Sequence, residues 1–362
     1  MNEENLDTIK ISRFRGGDFV NRSDTLKQWK KFFIKWPNQV TFLYGPKSCG
    51  KTTLLEKVRE QVAKNGRVTF FWYELREETF TDYQGVMNVL FPIAENSQSN
   101  IKHFAVTKKE REQLKANELL PYQIINRHIE KEIEAGKKVV IVIDELQSLK
   151  GIYIDTEKML FKELLNYFVR LTKVEHKAQV ILVTSNAYFI EEIFTDSQLE
   201  GSSEFIFLDY LNEIEVTKWL MKYQFTDNDI KYIWDRVGGY SWLLMQIIMK
   251  KKRQEDWKKL IEEAISQAKG KVITAVNHIE TDKFKVEIIR FLKQLVNNDG
   301  VMNLGLGMFN RKILNFLIDN EIIFYDPVNA KISVQFKPFY FAIKEALSDY
   351  KGKTEEADWF PD

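Results

Sequence analysis

One cysteine, seven prolines and sixteen glycines among 362 residues leave this chain little punctuation and no way to form an internal disulfide. The lone thiol, Cys49, excludes a disulfide-stapled scaffold and suits a reducing interior. Long hydrophobic runs are missing as well, so no segment reads as a membrane span. An excess of either charge is also absent: 53 Lys and Arg face 52 Asp and Glu, for a net charge of +1. Nothing global therefore demands nucleic acid or a membrane surface, and any such partner must be met by a local patch. Four histidines, His103, His128, His176 and His278, are scattered without metal-ligand spacing, which argues against a structural metal. The opening residues M-N-E-E-N-L-D are acidic and polar, unlike a secretory or transit peptide, and a cytoplasmic protein is expected.

The length suits two or three domains with a sizeable core. Its organising stretch runs from Gln39 to Thr53, Q-V-T-F-L-Y-G-P-K-S-C-G-K-T-T. Val40 to Tyr44 is apolar and β-rich without polar alternation, the pattern of a parallel strand buried on both faces. Gly45, four residues, then Gly50-Lys51-Thr52 fit the G-x-x-x-x-G-K-[ST] phosphate loop, and Leu54, Leu55, Val58 and Val62 continue at helical spacing. Chance would supply that pattern about 0.01 times in a chain this long. The two glycines allow backbone angles closed to other residues, so the N–H groups of Pro46-flanked Lys47, Ser48, Cys49 and Gly50 can turn toward phosphate oxygens. The helix start at Lys51, Thr52 and Thr53 adds its unpaired N–H groups, Lys51 reaches the β/γ-phosphates, and Thr52 offers a hydroxyl to Mg²⁺. Cys49 reads as a small filler of that loop.

A second signal is V-V-I-V-I-D-E, Val139 to Glu145. Five β-branched residues ending in two acids place Asp144 at a strand tip, where its carboxylate can hold Mg²⁺ through water opposite Thr52. Glu145, one residue further out, is then positioned to orient or deprotonate the water attacking the γ-phosphate. Gln179 to Thr184 forms another apolar strand, and Thr184-Ser185-Asn186 stands where a γ-phosphate sensor would be needed. Arg67 to Tyr73 and Glu204 to Leu208 complete five strands. Glu74 and Arg76 follow the former at the ligand edge of an α/β sheet, as substrate contacts or as solvated charges. Phe19 and Val20, upstream of the loop, can wall the base of a nucleotide.

The remaining chain fills in around these motifs. Phe91 to Val106 loses periodicity and reads as a surface excursion or a partner-contacting loop, and Pro121 to Glu134 reads as a helix. After Asp209 to Asn212 the pattern turns helical, with Ile214 to Tyr223, Asp227 to Val237 and Ser241 to Lys252. The expected division is 1–210 for the nucleotide-binding core, 211–275 for a helical lid, 276–350 for a winged helix, and 351–362 for a loose tail. The winged helix rests on helices at Phe284 to Val296 and Phe309 to Asn320 and strands at Ile322 to Tyr325 and Lys331 to Gln335. Asn310, Arg311, Lys312 and Asn315 line the outer side of its candidate recognition helix.

F-V-N-R-S-D before the loop, G-P-K-S-C-G-K-T-T, V-V-I-V-I-D-E, L-V-T-S-N and G-G-Y-S together resemble an archaeal member of the STAND-type P-loop ATPases, which are related to AAA+ proteins. The resemblance covers about Phe14 to Trp242. It implies an α/β P-loop NTPase fold: a five-stranded parallel sheet with the phosphate-loop strand beside the sensor strand, a helical lid and a carboxyl-terminal winged helix. By the same analogy ATP and Mg²⁺ bind at the sheet tip, with Phe19, Val20 and Arg22 near adenine. The chain departs from the pattern at Asn186, where relatives commonly carry arginine, and at Ser241, where they carry proline.

Two active readings follow, with duplex DNA or a protein as partner of the winged helix, no membrane partner, and self-association left open. In one, the chain is an ATPase, slow without its partner, whose ATP cycle drives a conformational switch. In the other, it is a DNA-binding AAA+-like ATPase resembling origin-recognition initiators. A module that holds nucleotide for structural reasons is the third. The N-K-x-D guanine signature and the transporter motif L-S-G-G-Q are both absent from the sequence.

Overall fold

Five strand segments form one parallel sheet, and the apolar runs Val40–Tyr44, Val139 to Ile143 and Val180 to Val183 are buried along their length, as strands covered on both faces are. In the computed structural model, residues are described outside 1–10, 15–16, 21–22, 34, 65, 77–79, 95–101, 117, 156, 196–198, 200, 306–309 and 352–362. Residues 352–362 of the expected tail and Arg22 therefore lie outside the described residues. The chain divides into two compact units, one of Ser23–Gly45 and Gly50–Leu208, the other of Met1–Arg22, Pro46–Cys49 and Asp209–Asp362.

In chain order, β1 (Ile11–Phe14) and β2 (Gly17–Val20) form a hairpin that belongs to the second unit. The first unit contains α1 (Ser23–Phe32), β3 (Val40–Tyr44), α2 (Lys51–Ala63), β4 (Val68–Glu74), α3 (Tyr83–Leu90), α4 (Lys108–Lys115) and α5 (Pro121–Glu134). It continues with β5 (Lys138–Asp144), α6 (Leu160–Val169), β6 (Ala178–Thr184), α7 (Ala187–Phe194) and β7 (Ser203–Phe207). The five strands pair in the order β4-β5-β6-β3-β7, all parallel. The phosphate-loop strand β3 thus lies beside β6, the strand expected to carry the sensor, as the resemblance implies. Val139 to Ile143 and Val180 to Val183 are almost fully buried, the double-sided burial that their unbroken apolar runs require.

Register fixes what reaches the carboxyl edge. Tyr44 pairs with Thr184, and Glu74 with Asp144, so the residues leaving β3, β4, β5 and β6 emerge on one rim.

The excursion at Phe91 to Val106 is not simply on the surface. Ile93 bridges to Val106, Lys102 bridges to Phe71 of edge strand β4, and Phe104 stacks on Phe71 with ring centroids 4.4 Å apart. Phe104 and Val106 are buried, which isolated apolar residues in polar sequence do not announce. Lys102 bonds the open side of β4, where the N–H of Trp72 and the C=O of Phe70 would otherwise face water.

The second unit holds α8 (Glu213–Met221), α9 (Asp227–Val237), α10 (Ser241–Lys252), α11 (Trp257–Asn277), α12 (Asp282–Asn297), β8 (Val301–Asn303), α13 (Arg311–Asp319), β9 (Ile323–Asp326), β10 (Lys331–Val334) and α14 (Lys337–Lys351). Its core gathers Val20, Val216, Trp219, Leu220, Ile233, Leu244 and Ile261. The Asp18 carboxylate accepts hydrogen bonds from Trp219, Lys222 and Tyr223, fastening β2 to α8. Between α9 and α10, Gly238 has φ +60, and a Cβ on Gly239 would meet the Leu211 carbonyl oxygen at 1.8 Å, so neither glycine tolerates a side chain. Strands β8-β10-β9 form an antiparallel sheet beside α12, α13 and α14, an arrangement consistent with a winged helix. The three-residue β8 and the helices α11 and α14 were not apparent in the sequence; β8 is too short for a strand period to show. No described helix is long and apolar enough to cross a membrane.

Glu132 on α5 is a buried polar anchor of the first unit, accepting from Thr69 Oγ1 at 2.6 Å, from Lys137 Nζ at 3.2 Å and from Lys102 Nζ. Burial by itself would raise its pKa, but the bonds from Lys102, Thr69 and Lys137 outweigh it and hold the carboxyl at about 2, below its ordinary 4.5. A depressed carboxyl contributes stability that is present above its unfolded value and lost as pH falls through the folded one. Glu132→Gln is therefore expected to cost about 1–3 kcal/mol at pH 7. In urea melts of both proteins at several pH values, that difference narrows as pH falls from 4.5 toward 2. A gap independent of pH would remove the charged network from the explanation.

Candidate functional site

The helix that follows the glycine turn starts on a backbone shape that only glycine takes readily. Gly50 caps α2 with φ 96 and ψ 24, and no acidic residue sits in the first turn to neutralise the helix's positive end. First-turn N–H groups have no acceptor within the helix, so Lys51, Thr52 and Thr53 present an anion-binding terminus. Lys51 is buried at 7 % exposure and donates to the Gly45 carbonyl at 3.0 Å, closing the turn across its own base.

Thr52 and Asp144, 92 residues apart in sequence, meet directly: Thr52 Oγ1 donates to Asp144 Oδ2 at 2.5 Å. Asp144 Oδ1 accepts from the Glu145 N–H at 2.9 Å, so both carboxylate oxygens are oriented. Asp144 is 2 % exposed, and burial raises its pKa despite the Thr52 hydrogen bond and the charges of Lys51 and Arg76. A hydroxyl and a carboxylate at hydrogen-bond distance are hard oxygen donors, the set that Mg²⁺ takes alongside phosphate oxygens and water. Among the described residues no group of three His, Cys, Asp or Glu is placed to hold a metal, so a caged ion has no ready ligands there.

Glu145 sits at φ 60, a left-handed conformation costly for a side chain of this size. Arg76 and the Gln147 carboxamide both donate to its carboxylate. Gln147 Oε1 in turn accepts from Thr184 Oγ1 at 2.7 Å, and Thr184 Oγ1 accepts from the Asn186 N–H at 3.0 Å. A continuous polar chain thus links Arg76, Glu145, Gln147, Thr184 and Asn186. Ser185 and Asn186 are half-buried, and the Asn186 carboxamide oxygen caps α7 by accepting from the Phe189 N–H at 3.0 Å. Gln147 escaped the reading of the sequence, since a glutamine two positions past an acid pair matches no motif. Arg76, a substrate contact or a solvated charge by sequence, is paired with Glu145 in the structure.

Pro46–Cys49, contiguous with the two loop glycines, clusters with the second unit. Pro46 and Cys49 are buried while Lys47 and Ser48 are exposed, and Ser48 has φ 57. Within that unit Lys47 pairs with Glu321, Tyr210 Oη donates to the Lys47 carbonyl at 2.9 Å, and Ser241 Oγ donates to the Ser48 carbonyl at 2.8 Å. Ser241 replaces the proline of the resembled motif, and its hydroxyl makes a bond proline could not. Phe19 and Val20 are each 7 % exposed, and Val20 is part of the core of the same unit.

The family model for an ATPase domain found predominantly in Archaea matches residues 19–247. The model for the carboxyl-terminal domain of MJ1010-like ATP-binding proteins matches residues 258–347. Over 345 residues the chain is 30 % identical to an ATP-binding protein of Methanocaldococcus jannaschii whose role is uncharacterized, covering 91 % of this chain and 94 % of that one. A second such protein from the same organism is 32 % identical over 348 residues, covering 91 % and 99 %. Among solved structures, the chain is similar to the Walker-type ATPase of Pyrococcus abyssi, with a TM-score of 0.61, 14 % identity and coverage of 94 % and 99 %. It is also similar to the ORC2 protein of Aeropyrum pernix in its ADP form, with a TM-score of 0.51, 12 % identity and coverage of 96 % and 98 %. At those identities the likeness shows the fold.

Removing the Lys51 ammonium takes away a charge-assisted bond to phosphate while leaving the loop backbone in place. Lys51→Ala is expected to weaken ATP binding about 10²-fold, measured by equilibrium titration with a fluorescent ATP analogue. Unchanged affinity would place the nucleotide somewhere else.

Proposed function

The chain belongs to the family of ATPase domains found predominantly in Archaea and is an ATP-binding protein, and from that premise we propose that it hydrolyses ATP to ADP and phosphate and works as a nucleotide-driven conformational switch. The observation that carries this reading is the Thr52–Asp144 hydrogen bond, with Glu145 next in sequence. Thr52 and Asp144 would hold Mg²⁺, which when bound neutralises charge on the β- and γ-phosphate oxygens. Lys51 turns from the Gly45 carbonyl to those oxygens. Glu145 takes a proton from the attacking water as its oxygen bonds to the γ-phosphorus and the bond to the β–γ bridging oxygen breaks. Asn186, at the end of the polar chain through Thr184, and its neighbour Ser185 stand as sensors of the γ-phosphate.

In this reading Arg76 and Gln147 restrain Glu145 until the γ-phosphate draws the network over, which keeps basal turnover slow. The switch reading is supported by the carbonyls of Lys47 and Ser48, which accept from Tyr210 and Ser241, since a phosphate loop that changes shape must disturb those bonds. The division at 1–210, 211–275 and 276–350, with lid and winged helix, is part of the proposal, as is a cytoplasmic location. STAND-type membership rests on the sequence motifs, and the adenine role of Phe19, Val20 and Arg22 rests on the same resemblance.

A DNA-handling ATPase is the second reading, favoured by one observation: Asn310, Arg311, Lys312 and Asn315 are all exposed at α13. That group is short of a basic stripe, so it supports modest phosphate contact rather than sequence reading.

Glu145→Gln is expected to retain ATP binding while turnover falls by roughly 10²–10⁴-fold, and turnover equal to that of the unsubstituted protein would remove Glu145 from the proton-transfer role. Arg76→Ala should instead raise basal turnover, by about 2- to 10-fold if the restraint is worth a single exposed ion pair; a drop would make Arg76 part of the productive site. Phosphate release by the full chain, followed with and without duplex DNA, separates the two readings. Stimulation that disappears in Arg311→Ala/Lys312→Ala supports DNA handling, and indifference to DNA supports a switch acting on protein.

A further inference from the structure

At the amino edge of the sheet, opposite the phosphate loop, the first unit contains a cavity of about 510 Å³. It opens where β4 begins. Seven residues of strand separate that edge from Asp144, roughly 20 Å at strand rise, so the cavity is not an extension of the ATP site. Val68 and Phe70 contribute apolar wall, and Arg59, Lys64, Lys102 and Lys137 bring four cations to the lining. Glu60, 4.0 Å from Lys64, is the one acid among the described lining residues, and the buried Glu132 bonds Lys102 and Lys137 from beside it.

Surface lysines alone would be an ordinary solvated rim, but Lys102, Lys137 and Arg59 are held in place. Lys102 donates its N–H to the Phe70 carbonyl at 3.2 Å and accepts from the Trp72 N–H at 3.3 Å, which fixes its backbone to the edge of β4. Lys102 and Lys137 then donate to the same Glu132 carboxylate, so one buried negative charge orients two positive ones. The Arg59 guanidinium lies 5.3 Å from the Trp72 ring centroid, a contact that keeps its plane ordered. The end of α2 opposes an anion with about half an elementary charge, too little to offset the surplus of full cations. The volume falls in the range of small-molecule sites, roughly 300–1,000 Å³.

We propose that this cavity is a second ligand site, taking a small phosphorylated molecule of mononucleotide size, its phosphate among Lys64, Lys102, Lys137 and Arg59 and its flat apolar part against Val68 and Phe70. The preset cations reduce the ordering cost of binding. The ligand would rest against α2, the helix whose other end forms the phosphate loop.

The test uses the full-length chain carrying Lys51→Ala, which disables the ATP site without touching the cavity, and 5′-AMP as probe. Calorimetry is expected to give one AMP per chain, with adenosine at least about tenfold weaker. Adding Arg59→Gln and Lys64→Glu should weaken AMP at least about tenfold with the melting temperature kept. Equal binding of adenosine, no AMP binding up to about 10 mM, or indifference to the two changes would each overturn the proposal. If the doubly changed cavity unfolds the protein, acetylation footprinting of the Lys51→Ala chain decides. Protection of Lys64, Lys102 and Lys137 by AMP upholds the site, and AMP bound without protecting them overturns it. A single-stranded oligonucleotide that protects these lysines where AMP does not would overturn the small-ligand assignment in favour of a nucleic-acid track.

Discussion

The parallel register of β3, β5 and β6 is the constraint from which the site follows. With Tyr44 paired to Thr184, and β5 running beside β6, the chain leaves all three strands on one rim. The six residues between β3 and α2, Gly45 to Gly50, then lead into the helix on which Thr52 meets Asp144 at the end of β5. The Thr52–Asp144 hydrogen bond is a consequence of that geometry, and a strand order that separated β3 from β5 by more than β6 would break it. Burying the aspartate at 2 % exposure carries a desolvation cost that the neighbouring hydroxyl and cations only partly offset. A site of this kind is costly unless a cation or a proton satisfies it.

Around that pair the polar groups form two connected sets. One is the chain from Arg76 through Glu145, Gln147 and Thr184 to Asn186, built across three strand ends and anchored on a residue in a left-handed backbone conformation. Strain of this sort persists where surrounding bonds over-determine it, and it concentrates at functional sites. The other set fixes the loop tetrapeptide Pro46–Cys49 through Tyr210, Ser241 and Glu321, residues distributed from the start of the helical region to the turn before β9. The tetrapeptide is thus held by residues of the carboxyl-terminal part of the chain, within its own unit.

Much of this was legible in the sequence because the relevant signals are local. Val139 to Ile143 could hardly be anything but a doubly buried strand, Pro121 to Glu134 carries its own start and length, and the loop glycines are needed for backbone reasons that composition reveals. What stayed hidden depends on partners distant in sequence. Gln147 gains meaning only when Thr184 comes beside it, Ser241 only when the Ser48 carbonyl does, and Phe104 only when Phe71 offers a ring to stack on. The three residues of β8 become a strand because β10 pairs with them. The departures noted at Asn186 and Ser241 turned out to be a helix cap and a loop hydrogen bond, roles that a motif comparison treats as blanks.

The most direct test of the shared metal and phosphate site is a crystal structure of the full chain with Mn²⁺ and a non-hydrolysable ATP analogue, read by anomalous scattering. The predicted result is a manganese peak about 2.1–2.2 Å from Thr52 Oγ1, joined to Asp144 directly or through one water, with the polyphosphate against the first turn of α2. A metal or polyphosphate bound elsewhere, with Thr52 and Asp144 still bonded to each other, would contradict it.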